Sequence, residues 1–524
     1  MIVWQNNDNA AAPVVMAQVF APNNTPITGA FIVPSYTDKT SRAPDVAMGP
    51  DGTFMVVWEG PDLDFSTGIQ CRSYDANGNP IYNPVSGDNG QFRINALADA
   101  VYYTPAIGMR SDKSFVVVWS EYFRISTNNP GTRVFGSRRY AGGNPMSGQF
   151  QVTPDNPGGY NYKVNPDIDV ADSGDFTVVW DEGWQDMHNT FQVLGVRYNA
   201  AQTMITAPFK INQLNSMLDW DSLMSPRVSV APGGSFVVVW HRYPNFSGPD
   251  YITPTPTGGL ATVIRRYNSA GVAQGGEFQL NQGFLTNYTT PRGESGYIRN
   301  VYPDVACDKD GNFIVVWEAS WSSADKRDDP ITLDGAIWGR ECNAGGGTIT
   351  NEFSVNNYQM AHRAIGSQAY PAVTRKAGSG QWVTAWQGPQ GIAPDGGPLG
   401  IYRLQVTDPN DPRRQPIPSI FWVLNAPLSG NYLQGSNITI SWFANGIQPG
   451  YTVCLCVAPG ADFTNAIWIS VGAITATNGW ANWVWNGRDT GGNLVPKGTY
   501  YIAGYIWNGS GPTYAHASTT FIIS

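Results

Sequence analysis

The sequence predicts an all-β protein made by repeating one sheet design along most of the chain, and three observations carry that prediction. Aromatic residues make up 13% of the chain and charged residues only 14%, while 58 Gly and 38 Pro supply turns between β-branched runs. One hairpin pattern recurs: "PDGTFMVVWEG", "RSDKSFVVVWSE", "ADSGDFTVVWDE", "APGGSFVVVWHR", "DKDGNFIVVWEA" and "KAGSGQWVTAWQG". The aligned tryptophans, Trp4, Trp58, Trp119, Trp180, Trp240, Trp317 and Trp386, are spaced 54, 61, 61, 60, 77 and 69 residues apart. Self-similarity of that kind decides the architecture before any local signal does.

Each unit reads as four strands. A proline opens the first: Pro44, Pro105, Pro166, Pro226, Pro303 and Pro371. Proline suits the first position of a strand, where no ladder donor is lost. A tight turn such as Asp51-Gly52 leads into the second strand, which ends in the tryptophan; glycine supplies the positive φ that the turn needs. A variable loop then leads to a third strand that runs into a second turn, as in "TGIQCRSYDANGNP", and "QFRINA" is a fourth. Four short antiparallel strands per unit, arranged radially, is the arithmetic of a β-propeller. Counting gives seven second and third strands but six clear first and fourth strands, hence seven four-stranded blades with the terminal blades incomplete. "PIPSIFWVLN", residues 416–425, is one segment that could supply a closing strand or open the next domain. The chain opens on "IVW", the end of one of these hairpins, so upstream sequence is expected.

Residues 1–405 are therefore read as the propeller, 406–418 as a proline-rich linker, and 419–524 as a second domain in which the period disappears. About seven strands there suggest an immunoglobulin-like β-sandwich. The repeat, P-x-V-A…D-G-x-F-V-V-x-W…R-Y-N-A-x-G…F-x-V-N, resembles those of large secreted bacterial surface proteins of the adhesin type. "WNGRDTGGNLVPKGTYYI" resembles the carboxyl-terminal immunoglobulin-like domains of bacterial surface and flagellar hook-capping proteins. Both resemblances imply an extracellular or cell-surface setting. The calcium-binding nonapeptide repeats of such secreted proteins are absent, so no cofactor is expected and calcium is not indicated by motif.

Composition excludes several classes. A net charge of −9 with no Lys or Arg run gives no footprint for nucleic acid. No stretch approaches the ~18 apolar residues that a membrane-spanning helix requires. Four scattered histidines, His188, His241, His362 and His516, form no metal-ligand motif, and five cysteines form no disulfide framework. No nucleophile elbow or phosphate loop occurs.

The tryptophans and turns read as scaffold, the rings filling the gap between adjacent sheets. Function is expected on the face where the second-to-third loops and the connections between blades lie, because those loops are long, varied and rich in aromatics. Tyr122, Tyr160, Tyr162, Trp184, Tyr243, Tyr251 and Trp321 are the candidate rings for sugar stacking or protein contact. Glu59, Glu121, Asp181 and Glu318 are the candidate acids at the same rim. Arg72, Arg138, Arg139, Arg197, Arg265, Arg266 and Arg340 recur on the third strands and read as surface decoration. A sialidase-like site would need arginines converging at the centre. The expectation is a non-enzymatic surface protein that recognises a glycan or a surface protein. The alternatives are a sialidase-like or other glycoside hydrolase with paired carboxylates, and a self-assembling subunit of a filament or surface layer.

Overall fold

The computed structural model describes residues 1–6, 13–21, 25–35, 39–61, 67–82, 90–96, 102–126, 129–154, 161–184, 190–213, 216–217, 225–242, 261–281, 288–289, 295–323, 333–350, 352–355, 369–375, 382–389, 399–406, 421–425, 431–445, 452–459, 465–475, 479–507, 512–516 and 521–524. No helix occurs among them. The first seven sheets are all antiparallel and follow one another in the chain, starting at residues 2, 14 and 31 for sheet one. Sheets two, three and five have four strands each; sheets four and six add a two-residue fifth strand. Sheet one has three strands and sheet seven, spanning residues 369–406, has three.

Strand order within each sheet is sequential, as the repeat predicts, except that Ser216–Met217 in sheet four pairs back on Thr190–Tyr198. The first strands are Arg42–Met48, Tyr102–Met109, Asn161–Val170, Arg227–Val230, Ser295–Cys307 and Ala369–Arg375, and consecutive ones pack side by side. They are called the inner strands below. Among the described residues, sheet one has no inner strand and sheet seven no fourth strand. Phe421–Asn425 pairs with Ile438–Asn445 and so joins the carboxyl-terminal sheets instead of completing sheet seven.

Burial explains why the repeat has its sequence. Val56, Val57, Val117, Val118, Val178, Val179, Val238 and Val239 are all inaccessible, because a second strand is covered on both faces by neighbouring sheets. Every core cluster of this region lies between consecutive sheets and includes the later sheet's tryptophan: Trp58, Trp119, Trp180, Trp240, Trp317 and Trp386 in turn. The first five of these rings are 0–1% exposed. The tryptophan is therefore the wedge between neighbours, as expected.

Two further repeats in the sequence are also joints. The polar residue after the fourth strand caps the third: Asn95, Thr153, Asn212 and Asn281 accept from the backbone N–H of Ile69, Val134, Val193 and Thr262 at 2.7–3.0 Å. The arginines, read above as surface decoration, are clips. Arg72, Arg265 and Arg340 donate to the carbonyls of Val33, Ile211 and Leu280 in the preceding sheet at 2.8, 2.7 and 2.6 Å. Arg139 does the same to Ile94 at 2.9 Å, and Arg138 reaches forward to the Ala200 carbonyl. A guanidinium can do this because its stem packs along the apolar strand while its fork finds the unpaired acceptor.

Beyond residue 420, a three-stranded sheet and a six-stranded sheet share one core that contains Ile438, Ile440 and Trp485 from the first and Val453, Leu455 and Ile502 from the second. Asn431–Tyr432 pairs parallel with Ile522–Ile523, the one parallel contact among the described strands. Cys454 and Cys456 are both buried here.

Candidate functional site

In sheets two to seven the residue before the inner-strand proline has a left-handed backbone: Ala43, Thr104, Asn165, Ser225, Tyr302 and Tyr370, with φ between 44° and 51°. None is glycine. A side chain in this region costs of order 1–3 kcal/mol, and a following proline normally holds its predecessor extended. The cause is a β-bulge: the register with the second strand slips between Arg42 and Asp45, Tyr103 and Ala106, Val164 and Asp167, Val301 and Asp304, and Ala369 and Ala372. Five such bulges, and the equivalent left-handed turn at Ser225 just before the inner strand of sheet five, set six side chains at the end where the inner strands begin and the long loops leave.

The residue after each tryptophan serves this level. Gln5 accepts from the Ala43 N–H (3.3 Å), Asp181 from the Ser225 N–H (3.1 Å), and Glu318 from the Tyr370 N–H (3.4 Å), each reaching into the next sheet. Asp181 also accepts from the Asn165 amide at 3.1 Å. At the same position, Glu59 is paired with Arg42 at 2.7 Å, and His241 lies edge-on to Tyr302 at 6.0 Å. The acids are nearly covered, with Glu59, Asp181 and Glu318 at 0–5% exposed. Glu121 sits one position further along, also buried; burial raises its carboxyl above the usual range, with Trp119 and the Arg133 charge pulling it back.

Above these acids stand two rings. Tyr302 and Tyr370 are 36% and 57% exposed, and their centroids lie 4.7 Å apart with the planes tilted by 43°. Sequence reasoning passed over both, because each directly precedes the strand-opening proline and reads as part of the frame. The signal that marks them is alignment of that one column, which runs Ala, Thr, Asn, Ser, Tyr, Tyr.

Of the rings expected to bind, Tyr122 and Tyr162 are half-buried on sheets three and four. Trp184 and Trp321 belong to strands Phe176–Trp184 and Phe313–Ser323. Tyr160, Tyr243 and Tyr251 lie outside the described residues.

Two residues along the inner strands, a second tier of acids begins. Asp45, Asp167 and Asp304 accept from the N–H groups of Ile107, Val228 and Val373 at 2.8, 2.7 and 2.6 Å, tying sheets two to three, four to five and six to seven. Asp169 accepts from Val230 in the same way. Burial pushes Asp45 and Asp169 up to about 7 and Asp304 up to about 6, and raises Asp167; Arg227 draws Asp45, Asp167 and Asp304 back toward the ionised form. Among the described residues no group of three His, Cys, Asp or Glu is placed to hold a metal ion.

No family model matches the sequence, and no curated protein does. Solved structures give distant likenesses. A protein of unknown function from Dyadobacter fermentans matches at 11% identity over 70% of this chain and 93% of its own, with a TM-score of 0.39. A Hadza microbial sialidase matches at 11% over 72% and 69%, with 0.37. An α-L-arabinanase from Penicillium chrysogenum, solved with arabinobiose, matches at 12% over 70% and 93%, with 0.36. None shares enough of the fold to place this chain in its family, so the chemistry of the rim carries the functional reading.

Proposed function

We propose that the chain is a glycan-binding protein whose site is the rim at the start of the inner strands. The observation that carries this is the Tyr302–Tyr370 pair. Two exposed rings in contact, on strained backbone, are unlike packing residues, and strain of this kind clusters where a side chain must be presented. Aromatic faces stack on the C–H face of a sugar, while Asn165 and Ser225 of the same column are polar residues. The propeller is read as seven-bladed with its ring closed around these strands, and the carboxyl-terminal sheets as an immunoglobulin-like spacer on an extracellular protein.

A second reading, glycoside hydrolysis, is favoured by the acids beneath the rings, since Asp45 and Asp304 near neutrality have the protonation a general acid needs. Binding is favoured over it because the acids are already engaged: Asp45 with the Ile107 N–H, Asp304 with the Val373 N–H, Glu59 with Arg42, Asp181 with Asn165 and Ser225, and Glu318 with Tyr370. A glycan array on the purified chain tests both readings, followed by calorimetry on Tyr370→Ala and by assay of each bound sugar for cleavage. Binding that falls about fivefold or more in the variant, at unchanged thermal midpoint, supports the proposal; stacking of one ring is worth about 1 kcal/mol. Cleavage would overturn it in favour of the hydrolase, and no binding to any sugar would overturn both.

A further inference from the structure

Resting on the glycan reading, we infer that His241 is the positioning residue of the tyrosine pair: its buried ring sets the tilt at which Tyr302, and through it Tyr370, meets a sugar. Strand alternation puts it there. Along Phe236–Arg242, the side chains of Phe236, Val238 and Trp240 pack in the core shared with sheet four, whereas Val237 and Val239 pack in the core shared with sheet six. His241 continues the second series. It is 5% exposed, and its ring lies 6.0 Å from that of Tyr302 with the planes at 69°. Tyr302 in turn lies 4.7 Å from Tyr370, so three rings from sheets five, six and seven follow one another in contact.

The column after the tryptophans gives this contact its meaning. In sheets one, four and six that residue holds the backbone of the next sheet's left-handed residue: Gln5 at Ala43, Asp181 at Ser225 and Glu318 at Tyr370. His241 occupies the same position opposite Tyr302 and meets its ring. The backbone, at φ 48°, fixes where the Tyr302 side chain leaves the strand. Rotation about its side-chain bonds remains, and an edge-on neighbour narrows it, because aromatic pairs favour offset or T-shaped arrangements. Tyr302 and Tyr370 are the exposed rings and His241 is covered, so His241 acts through them. A ring already held in its bound orientation loses less freedom when a sugar arrives, and releasing it should weaken binding about threefold to tenfold.

The test has a spectroscopic and a binding arm, both on the full chain. Tyrosine ring carbons are labelled for NMR, and the Tyr370 signal is identified by its loss in Tyr370→Phe. His241→Leu should move that signal, because the described contact between the two residues runs through Tyr302, and should leave it in place once Tyr302→Ala is present. Calorimetry then uses cellohexaose, or the first-ranked oligosaccharide of the array where cellohexaose does not bind. His241→Leu is expected to weaken binding about threefold or more, and His241→Phe, which keeps a flat ring, to restore it to within about twofold. Both lack the imidazole nitrogens, so their difference isolates the ring. His241→Gln is a second ringless variant and should behave as leucine does, with melting curves showing which variants are folded. A Tyr370 signal unmoved by a folded ringless variant overturns the inference and leaves the glycan proposal standing, as does a ringless variant that binds like the parent. Equal weakening by leucine, glutamine and phenylalanine also overturns it, since the ring would then not be what matters. Failure of every array sugar on the parent overturns the glycan reading and this inference with it, and the Tyr370 signal separates that result from a failure of His241 alone.

Discussion

Replacing Asp45 with asparagine should change stability in opposite directions at acid and alkaline pH. Asp45 is half-buried by area, yet protein surrounds it on every side, and loss of hydration is the dominant influence on it. Its carboxyl is pushed from 3.8 up to about 7, with Asp167 adding to the rise and the amides of Ile107 and Val46 and the charge of Arg227 opposing it. The folded state thus holds the proton more firmly than the unfolded state. Stability from this group is fully present below the unfolded value near 4, and is lost as pH rises to about 7.

A shift of about three units corresponds to about 4 kcal/mol. The new amide N–H₂ needs a partner of its own and the Val46 and Ile107 amides then share one acceptor oxygen, which leaves about 2 kcal/mol. Asp45→Asn keeps an oxygen to accept from Ile107. Urea unfolding should therefore show the variant more stable by about 2 kcal/mol at pH 8 and equal or slightly less stable at pH 4.5. The parent's own stability should decline across that interval, with Asp169 and Asp304 contributing in the same sense because their carboxyls are raised too. A variant that loses stability equally at both pH values would refute the reasoning, since Asp45 would then matter as an acceptor and not as a charge.

Trp180→Ala should cost about 3–5 kcal/mol by urea unfolding, because the ring is fully buried between sheets three and four. Asn212→Ala leaves the Val193 N–H without its side-chain acceptor in a buried strand and should cost about 1–3 kcal/mol. Thr104→Gly should gain about 1 kcal/mol by the same measurement. It releases a β-branched residue from φ 44° and removes a buried hydroxyl with no hydrogen-bond partner among the described residues, against the extra entropy of glycine.

The repeat was legible because its physics is repeated. A strand buried on both faces reads as an apolar run closing on tryptophan, and the turn before it sets glycine at positive φ at Gly52, Gly174, Gly234 and Gly311, so the copies announce themselves. The inter-sheet joints were visible only as types. Arginine and asparagine recurred, but their partners are carbonyls and amides of another sheet, and no sequence position records a backbone acceptor sixty residues away, as Leu280 is for Arg340. The acids after the tryptophans, Glu59, Asp181 and Glu318, were visible in the sequence as recurring residues. What sequence could not supply is that Asp181 and Glu318 turn inward to hold the backbone of the following sheet, leaving Tyr302 and Tyr370 as the exposed groups.

That division of labour bears on how such a repeat diversifies. The tryptophan, the valines and the capping asparagine each touch a neighbouring sheet, so altering one copy disturbs two. The residue before the inner-strand proline is different: its backbone is fixed by the bulge and held, in sheets two, five and seven, through its N–H by a side chain of the preceding sheet. Its own side chain takes a different part from sheet to sheet: Asn165 donates to Asp181, while Tyr302 and Tyr370 touch one another. Every L-residue there carries a backbone cost, least for asparagine and most for β-branched threonine, and the frame tolerates alanine, threonine, asparagine, serine and tyrosine alike. The column is therefore the place where copies of one design can differ without loss of the design, and in sheets six and seven it differs by the two largest side chains it contains. Glycine would remove the strain at every one of these positions and is found at none. A frame that keeps a side chain at six strained sites, with two rings in contact among them, is organised to present that column outward.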